Sequence, residues 1–268
     1  MTAPLDAQVH APLDALLARH GFHVEDALVR AGLRGIVIAD GERGRSLVTA
    51  VGPSVDPASL TERPGWDLPL QSVETIETEG GERTLIVEAL PSGVPLVRLS
   101  GTSEPARGVA LPAFARSLAA RFAAAHASGA IVGHLVPELV FVDPESLALA
   151  GCAQRALRAD AAAAPMDGAG RLFGASYLTP SVIQGHPPTP ADDVFLLAAL
   201  LWRWRHGTDP FEGPLLERMS RTVVGGPVSG ADQASGDPDP LDTWLLRAFD
   251  ARPDRRPSAS ELAAALEA

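Results

Sequence analysis

A stretch in the middle of the chain, residues 126–153, contains several side chains with functional chemistry. His134 could act as a general base, because an imidazole exchanges a proton near neutral pH. Cys152 could act as a thiol nucleophile, although a single cysteine is more often a small buried apolar residue. The histidines outside this stretch show no i, i+4 ligand spacing with one another. The sequence therefore gives no support for a metal site.

A helix and a hairpin are predicted on the two sides of His134. The preceding segment is rich in Ala and Arg, and its apolar residues recur at helical spacing up to Gly129, which can end a helix. Two short apolar runs follow at residues 139–142 and 147–150, and the sequence Asp143-Pro-Glu-Ser146 between them is typical of a turn. We therefore expect a helix that leads into a small β-hairpin.

This order of residues resembles the catalytic and metal-binding loops of protein kinases. The resemblance begins at His126-Ala-Ser-Gly129 and includes Pro137-Glu138, which match the Pro-Glu of the family. This alignment places His134 at the catalytic Asp and Leu139 at the metal-binding Asn. It also places Gly151-Cys152-Ala153 at the Asp-Phe-Gly motif, so that Gly151 replaces a metal-binding Asp. The resemblance implies a kinase scaffold without these chemical groups, in which His126 has a structural role.

Residues 22–90 are predicted to form strands and resemble the small lobe of a kinase. The sequence Asp40-Gly-Glu-Arg-Gly44 lies between β-branched runs and predicts a hairpin. Four prolines between residues 53 and 72 predict that the long regulatory helix of the family is reduced here to a remnant around residues 58–63. In residues 1–21, three leucines share one face and predict an N-terminal helical extension that packs on this lobe: Leu13, Leu16 and Leu17.

The nucleotide-binding positions of the small lobe are only weakly matched. Gly32 and Gly35 fall on the glycine-rich loop, but a plain hairpin turn explains two glycines equally well. Arg34 in this loop could clamp phosphates in place of the missing Lys, although an Arg on a loop is more often solvated. Gly52 falls on that Lys, and the hinge that would contact a nucleotide corresponds to residues 88–90, with Glu88 and Leu90 at its ends.

The larger lobe, residues 91–268, carries the more specific matches. A strand is predicted at residues 96–99 and a helix at residues 111–128, and residues 153–173 resemble an activation segment. Asp193 corresponds to the Asp that holds the backbone of the catalytic loop. Ser181 replaces the Glu that pairs with a distant Arg in the family, so Arg256 is expected to find another partner.

The composition of the chain bears on mechanism. All 22 basic residues are Arg, and the 268-residue chain contains neither Lys nor Asn. A GC-rich genome explains part of this bias, but kinases use a Lys to position phosphates and an Asn to bind Mg²⁺. The net charge of −11 argues against a nucleic-acid or anionic-membrane surface. No apolar run is long enough to span a bilayer and no signal peptide is evident, so a cytoplasmic protein is expected.

Together, these features predict an α+β chain with a two-lobed protein-kinase-like fold, a small β-rich lobe and a helical lobe. The resemblance implies a bacterial pseudokinase that acts as a scaffold or allosteric regulator through a protein partner, for example an active kinase. The candidate contact surfaces are residues 210–219, including Phe211, and an acidic stretch. That stretch contains Asp237, Asp239 and Asp242.

Other functions stay open on the sequence alone. One alternative is a divergent Ser/Thr kinase, and another is a sensor that binds ATP without Mg²⁺. A third is a small-molecule-binding module in the emptied cleft. No resident cofactor and no metal are expected, because the residues that would hold Mg²⁺ are replaced.

Overall fold

The computed structural model describes residues 6–53, 55–61, 68–99, 111–133, 135–142, 147–163, 177–211, 213–224 and 240–267. Unit 1 comprises Met1–Ser92, Glu138–Phe141 and Ala148–Phe173, and unit 2 comprises Gly93–Pro137, Val142–Leu147 and Gly174–Ala268. The later stretches of unit 1 were assigned to the larger lobe by the sequence analysis. Several predicted features lie outside the described residues: His134, the turn at 143–146, most of the acidic stretch, and residues 164–173 of the predicted activation segment.

Unit 1 is built on a five-stranded antiparallel sheet. Its elements are helix α1 (Asp6–Arg19) and strands β1 (His23–Ala31), β2 (Arg34–Gly41), β3 (Gly44–Val51), β4 (Leu70–Ile76) and β5 (Arg83–Ala89), with strand order β1-β2-β3-β5-β4. Two-residue turns connect β1 to β2 and β2 to β3, as the pairs Ala31 with Arg34 and Gly41 with Gly44 show. The sequence analysis did not predict β4. At the predicted remnant of the regulatory helix, the described residues contain one 3-10 turn, Pro57–Ser59.

The two faces of this sheet have different partners. On one face the leucines predicted for the N-terminal helix pack into a core with residues of β2, β3 and β5, as expected from their helical spacing. That core includes Leu13, Leu16, Leu17, Val37, Ala39, Val48, Ala50, Leu85 and Val87. Because side chains alternate along a strand, the residues between these point to the opposite face, and they are also buried: Ile36, Ile38, Leu47, Thr49, Ile86 and Glu88.

The opposite face of this sheet is covered by a helix that follows the hairpin predicted at residues 139–150. Strand β6 is Val94–Pro95, and strands β7 (Val140–Val142) and β8 (Leu147–Leu149) are neighbours in a small sheet, in agreement with the predicted hairpin. Helix α2 is Leu111–Ala127 and helix α3 is Gly151–Ala163. Helix α3 packs against β3 and β5. Unit 1 therefore has three layers, with α1 and α3 on the two faces of the sheet.

The predicted strand at residues 96–99 is wrong. Residues Leu96–Arg98 form a 3-10 turn instead. Leu96 and Leu99 are both buried, and a turn of three residues brings side chains at this spacing to the same side. The prediction rested on a run of four residues after Pro95, which is too short to distinguish the two conformations.

Unit 2 is largely helical. In addition to α2, it contains α4 (Pro180–Ile183), α5 (Pro190–His206), α6 (Leu215–Val224), α7 (Pro240–Ala248) and α8 (Ala259–Glu267). Helix α5 is buried along most of its length because apolar residues occupy all of its faces between Val194 and Leu201. A capping box between Thr189 and Asp192 starts it, and Gly207 ends it at a φ of 74°.

The chain is thus an α+β protein in which an antiparallel sheet is followed by helices, an order compatible with a kinase-like fold. Within the described residues, none of the helices has the length and apolarity that crossing a bilayer requires.

Candidate functional site

Local structure explains why glycine stands at both matched positions of the predicted glycine-rich loop. Gly32 lies in the β1–β2 turn at a φ of 62°, a conformation that residues with a Cβ rarely adopt. Gly35 packs under α1, where a Cβ would lie 2.5 Å from Cδ2 of Leu13. The hairpin turn and the contact with α1 give each glycine a structural reason within unit 1.

Gly52, at the predicted Lys position, lies immediately after β3 and beside a buried ion pair. Arg34 Nε is 3.2 Å from Asp160 Oδ2, and Arg34 Nη2 donates to Asp160 Oδ1 at 3.4 Å. The Arg34 side chain is 14% exposed and that of Asp160 is 5% exposed. A Cβ on residue 52 would lie closer than 3.0 Å to both of these side chains. The ion pair therefore occupies the space into which a side chain at position 52 would extend.

The opposite end of α3 is held by Glu88, one of the residues predicted to lie at the hinge. Glu88 is fully buried at the end of β5, and its carboxylate accepts hydrogen bonds from the backbone amides of Cys152 at 3.2 Å and Ala153 at 3.3 Å. The first amides of a helix have no partners within the helix, and its N-terminus attracts negative charge. The Glu88 side chain therefore anchors the start of α3.

Three further residues at the predicted metal and nucleotide positions of unit 1 have no ionisable side chain: Leu139, Gly151 and Leu90. Leu139 is fully buried, and its carbonyl accepts a hydrogen bond from Ala150 N at 3.0 Å. Gly151 is the first residue of α3. Cys152, which follows it, is fully buried, and its Sγ accepts a contact from Arg155 Nη2 at 3.1 Å. Leu90 is partly buried just after β5. The predicted activation segment is helical from its start to Ala163. This helix, α3, begins at Gly151, the first of the three residues aligned with the Asp-Phe-Gly motif.

In unit 2, Asp193 organises the described backbone next to the predicted catalytic loop. Its carboxylate accepts hydrogen bonds from Val132 N at 2.8 Å and Gly133 N at 2.6 Å. His126 Nε2 lies 3.0 Å from the same carboxylate. Asp193 is fully buried, so these contacts replace the water that a carboxylate requires. The three contacts tie the end of α2 and the following loop to the start of α5.

Arg256, for which the sequence analysis expected a new partner, pairs with Asp192. Their side chains are both fully buried and approach to 3.3 Å between Arg256 Nη1 and Asp192 Oδ1. Burial lowers the pKa of Arg256, although Asp192 opposes this effect. Burial also disfavours the charge of Asp192, but hydrogen bonds from Thr189 and Ser181 and the charge of Arg256 outweigh it and lower the pKa of Asp192. Ser181 thus contacts the same carboxylate as Arg256.

One residue of the predicted partner surface at 210–219 is corrected by the structure, whereas Leu216 in the same stretch is 71% exposed. Phe211 is fully buried, and its ring stacks on Phe195 and meets Phe249 edge to face. It therefore belongs to the core of unit 2 and does not offer a contact surface. In the predicted acidic stretch, Asp242 forms an ion pair with Arg205 at 2.7 Å.

A small surface pocket lies away from the candidate site. It has a volume of about 130 Å³ and is lined by residues that include Phe22, Arg43, Ser46 and Gln71. None of the predicted nucleotide-binding residues lines it. The small-molecule alternative, which was placed in the emptied cleft, gains no support from this pocket.

Asp160 and Asp192 are functional candidates that the sequence analysis missed. Asp160 lies seven residues after Ala153, so the two share a face of α3, and both are buried. An acidic residue on the buried face of an Ala-rich helix predicts a cationic partner. This signal could have been found in the sequence, but it does not say which of the 22 Arg residues is the partner.

Comparison with known proteins gives one informative similarity. No family model matches the chain. The chain is 29% identical over 215 residues to the serine/threonine-protein kinase PkaB of Streptomyces coelicolor, and this match covers 75% of the chain. It covers 49% of PkaB, so the chain spans about half the length of this relative.

Proposed function

Since its similarity to PkaB supports a protein-kinase-like family for this chain, we propose that the chain is a pseudokinase, which acts through contacts with another protein and transfers no phosphate. The proposed partner is a signalling protein, for example an active kinase. The proposed setting is the cytoplasm of a bacterial cell. The role is that of a scaffold or an allosteric regulator.

One observation carries this proposal: helix α3 covers the face of the sheet on which the phosphate-binding groups of a kinase would converge. In kinases a Gly-rich loop covers the phosphates and a Lys from strand β3 contacts them. Here the corresponding residues, Arg34 and Gly52, both lie against Asp160 of α3. On this proposal the carboxylate of Asp160 takes the place of phosphate oxygens beside Arg34 and Gly52.

The charges of unit 1 do not fit a magnesium-bound nucleotide. Among the residues that the structure describes, the two buried carboxylates on this face already have partners, since Asp160 pairs with Arg34 and Glu88 accepts from backbone amides. Leu139 and Gly151 offer no oxygen from a side chain, whereas Mg²⁺ prefers carboxylate and phosphate oxygens. The loss of a general base costs about 3 to 5 kcal/mol of transition-state stabilisation, and the loss of metal ligands adds several more. These losses support a function without phosphoryl transfer.

Thermal unfolding with ATP, with and without Mg²⁺, tests the proposal. A ligand at 100 times its Kd stabilises the folded state by about 2.7 kcal/mol, which is readily detected. We expect no change in Tm under either condition and no transfer of labelled phosphate to the protein itself or to a generic substrate. An active Ser/Thr kinase measured in parallel is the positive control.

Each alternative predicts a different result in the same assay. A Mg²⁺-dependent increase in Tm together with phosphate transfer would identify a divergent kinase and reject the proposal. An increase in Tm with ATP alone would identify a nucleotide sensor. The scaffold role predicts in addition that a partner copurified with the chain binds equally well with and without ATP.

A further inference from the structure

We propose that unit 1 binds a free α-amino acid with a short side chain in the surface pocket beside the end of α1. The pocket is lined by residues that include Phe22, Arg43, Ser46, Gln71 and Glu74. This inference goes beyond the proposed function and does not depend on it, because none of the residues compared with the nucleotide site of a kinase lines the pocket.

The pocket lies where α1 stops covering the sheet. Helix α1 ends at Arg19, and Gly21 then turns the chain at a φ of 80°. Ser46 is two residues before Val48, so its side chain lies on the same face as the core under α1, the face opposite α3. On this face, a pocket of about 130 Å³ has residues 20–22 as one of its walls. The C-terminal end of a helix carries a partial negative charge, which favours a cation nearby.

A β-bulge brings two consecutive residues of β4 to the pocket. Leu70 of β4 is opposite Glu88 of β5. Two residues later, Ser72 is opposite Val87, only one residue back along β5, so Gln71 is the extra residue of the bulge. In a regular strand the side chains of neighbouring residues point to opposite faces, whereas here Gln71 and Ser72 both line the pocket. The bulge therefore concentrates polar side chains at this place.

A buried hydroxyl orients the amide of Gln71. Ser46 is 1% exposed, and its hydroxyl donates to Gln71 Oε1 at 3.0 Å and to Gly44 O at 3.1 Å. Because the amide oxygen of Gln71 accepts from Ser46, the NH₂ group is the end of this side chain that can donate to a ligand. Arg43 Nη1 donates to the backbone carbonyl of Gln71, and a guanidinium has further N–H donors. Together, the amide and the guanidinium suit a carboxylate.

The pocket is lined by charges of both signs. Arg43 supplies a positive charge, and Glu42 and Glu74 supply negative charges. Within the part of the chain that the structure describes, none of these three side chains forms an ion pair. A simple anion would face the two glutamates and a simple cation would face Arg43, whereas a zwitterion places each of its charges beside the opposite one. The charge pattern therefore favours an amino acid.

The size of the pocket restricts the side chain of the ligand. An engineered cavity of about 150 Å³ holds one benzene molecule, which has six carbon atoms. A pocket of about 130 Å³ therefore fits alanine, which has six non-hydrogen atoms. Gln71 and Glu74 are three residues apart, less than about 10 Å along β4, and a zwitterion with a hydrogen bond of about 2.9 Å at each end can bridge them. Phe22 and Val87 offer apolar contacts for a methyl group.

An NMR titration of the isotope-labelled full chain with L-alanine tests the proposal. The expected result is a saturable shift of the backbone amide signals of Ser46, Gln71 and Ser72. The Kd should be in the millimolar range, because the charged residues of the pocket are exposed and solvent screens them. Propionate lacks the ammonium group of L-alanine, and ethylamine lacks its carboxylate. Each should bind with a Kd at least about fivefold higher, the upper end of what an exposed ion pair contributes.

Two variants assign the two charges of the ligand. Arg43→Gln should raise the Kd for L-alanine about fivefold and should not raise that for ethylamine. The double variant Glu42→Gln with Glu74→Gln should raise the Kd for L-alanine by a similar factor and should not raise that for propionate. The replaced residues are exposed, so both variants should fold, and the comparison of the three ligands on the wild type tests the proposal without them.

Exposed residues of the same unit that do not line the pocket provide matched controls. Arg45→Gln removes a positive charge from β3, and Glu77→Gln with Glu79→Gln removes two negative charges beyond β4. Both control variants should keep the Kd of the wild type for L-alanine. An increase as large as that of the pocket variants would show a general electrostatic effect and overturn the proposal.

Three results on the wild type would also overturn it: no saturable shift with L-alanine, shifts that map to other residues, or equal Kd values for L-alanine, propionate and ethylamine. The thermal unfolding assay with ATP tests the proposed function separately. Binding of L-alanine without a response to ATP supports both proposals. Phosphate transfer from ATP rejects the pseudokinase proposal and leaves the amino-acid site unaffected.

Discussion

Replacing Gly52 with Ala tests whether the Arg34–Asp160 ion pair occupies the space beside β3. The new Cβ would lie 2.5 Å from Nη2 of Arg34 and 3.3 Å from its Nε, and it would also clash with Oδ1 of Asp160. The backbone of Gly52 is not in the left-handed region, so alanine introduces no backbone strain. The effect on the free energy of unfolding should therefore arise from the contact with the ion pair.

The expected magnitude follows from two opposing effects. Overpacking a buried position costs about 1 to 3 kcal/mol. Replacing Gly with Ala at a compatible backbone position stabilises by about 0.4 to 1 kcal/mol through the unfolded chain. The net loss of unfolding free energy should be about 1.3 kcal/mol, within a range of roughly 0 to 2.6 kcal/mol. Urea unfolding followed by circular dichroism measures it.

Gly80→Ala is the matched control. The nearest atom to a Cβ at residue 80 would be Arg83 Nη2 at 3.4 Å, an ordinary contact, and its backbone is not in the left-handed region either. This variant should be unchanged or slightly more stable. In the Asp160→Ser background, Gly52→Ala should cost less, because the carboxylate that it meets is gone. Equal stabilities of Gly52→Ala and Gly80→Ala would refute the reasoning.

Two further predictions concern the carboxylates of unit 2. Asp193→Asn should lower the free energy of unfolding by about 2 to 4 kcal/mol, because both carboxylate oxygens accept backbone N–H bonds and an amide NH₂ cannot. Urea unfolding measures this loss, with a variant of an exposed residue, Asp254→Asn, as the control. An Asp193→Asn variant that unfolds at the urea midpoint of the wild type would contradict the assigned role. The lowered pKa of Asp192 predicts that its contribution to stability is complete above the unfolded value of about 3.9 and is lost as the pH falls through the lower folded value. Unfolding free energies measured between pH 7 and pH 3 should show the difference between the wild type and Asp192→Asn shrinking below about pH 4, and a constant difference would argue against this linkage.

Much of the local structure could be predicted from the sequence. The leucine spacing of α1 predicted its packing, and the Asp-Gly turn predicted the β2–β3 hairpin. These features depend on residues close together in the chain, where helical and strand periodicities apply. The 3-10 turn at Leu96–Arg98 was missed because a short apolar run does not separate a strand from a turn. Strand β4 was missed because four of its seven residues are polar and give no clear strand signal.

Two facts about the site follow from the sequence by itself. A chain without Lys or Asn cannot present those side chains at a phosphate or metal position, whatever its fold. The order of residues from His126 to Ala153 likewise carries the resemblance to kinases. Composition and order are properties of the chain, so no tertiary information is required.

The tertiary structure alone decided which charges meet. Arg34 and Asp160 are 126 positions apart, and Arg256 and Asp192 are 64 positions apart. Whether such residues approach depends on how α3 packs on the sheet and how α5 is placed among its neighbours. An ion pair requires two side chains within a few ångströms of each other, and any of many carboxylates could in principle be the partner of a given Arg. Only the packing of these helices selects the partner.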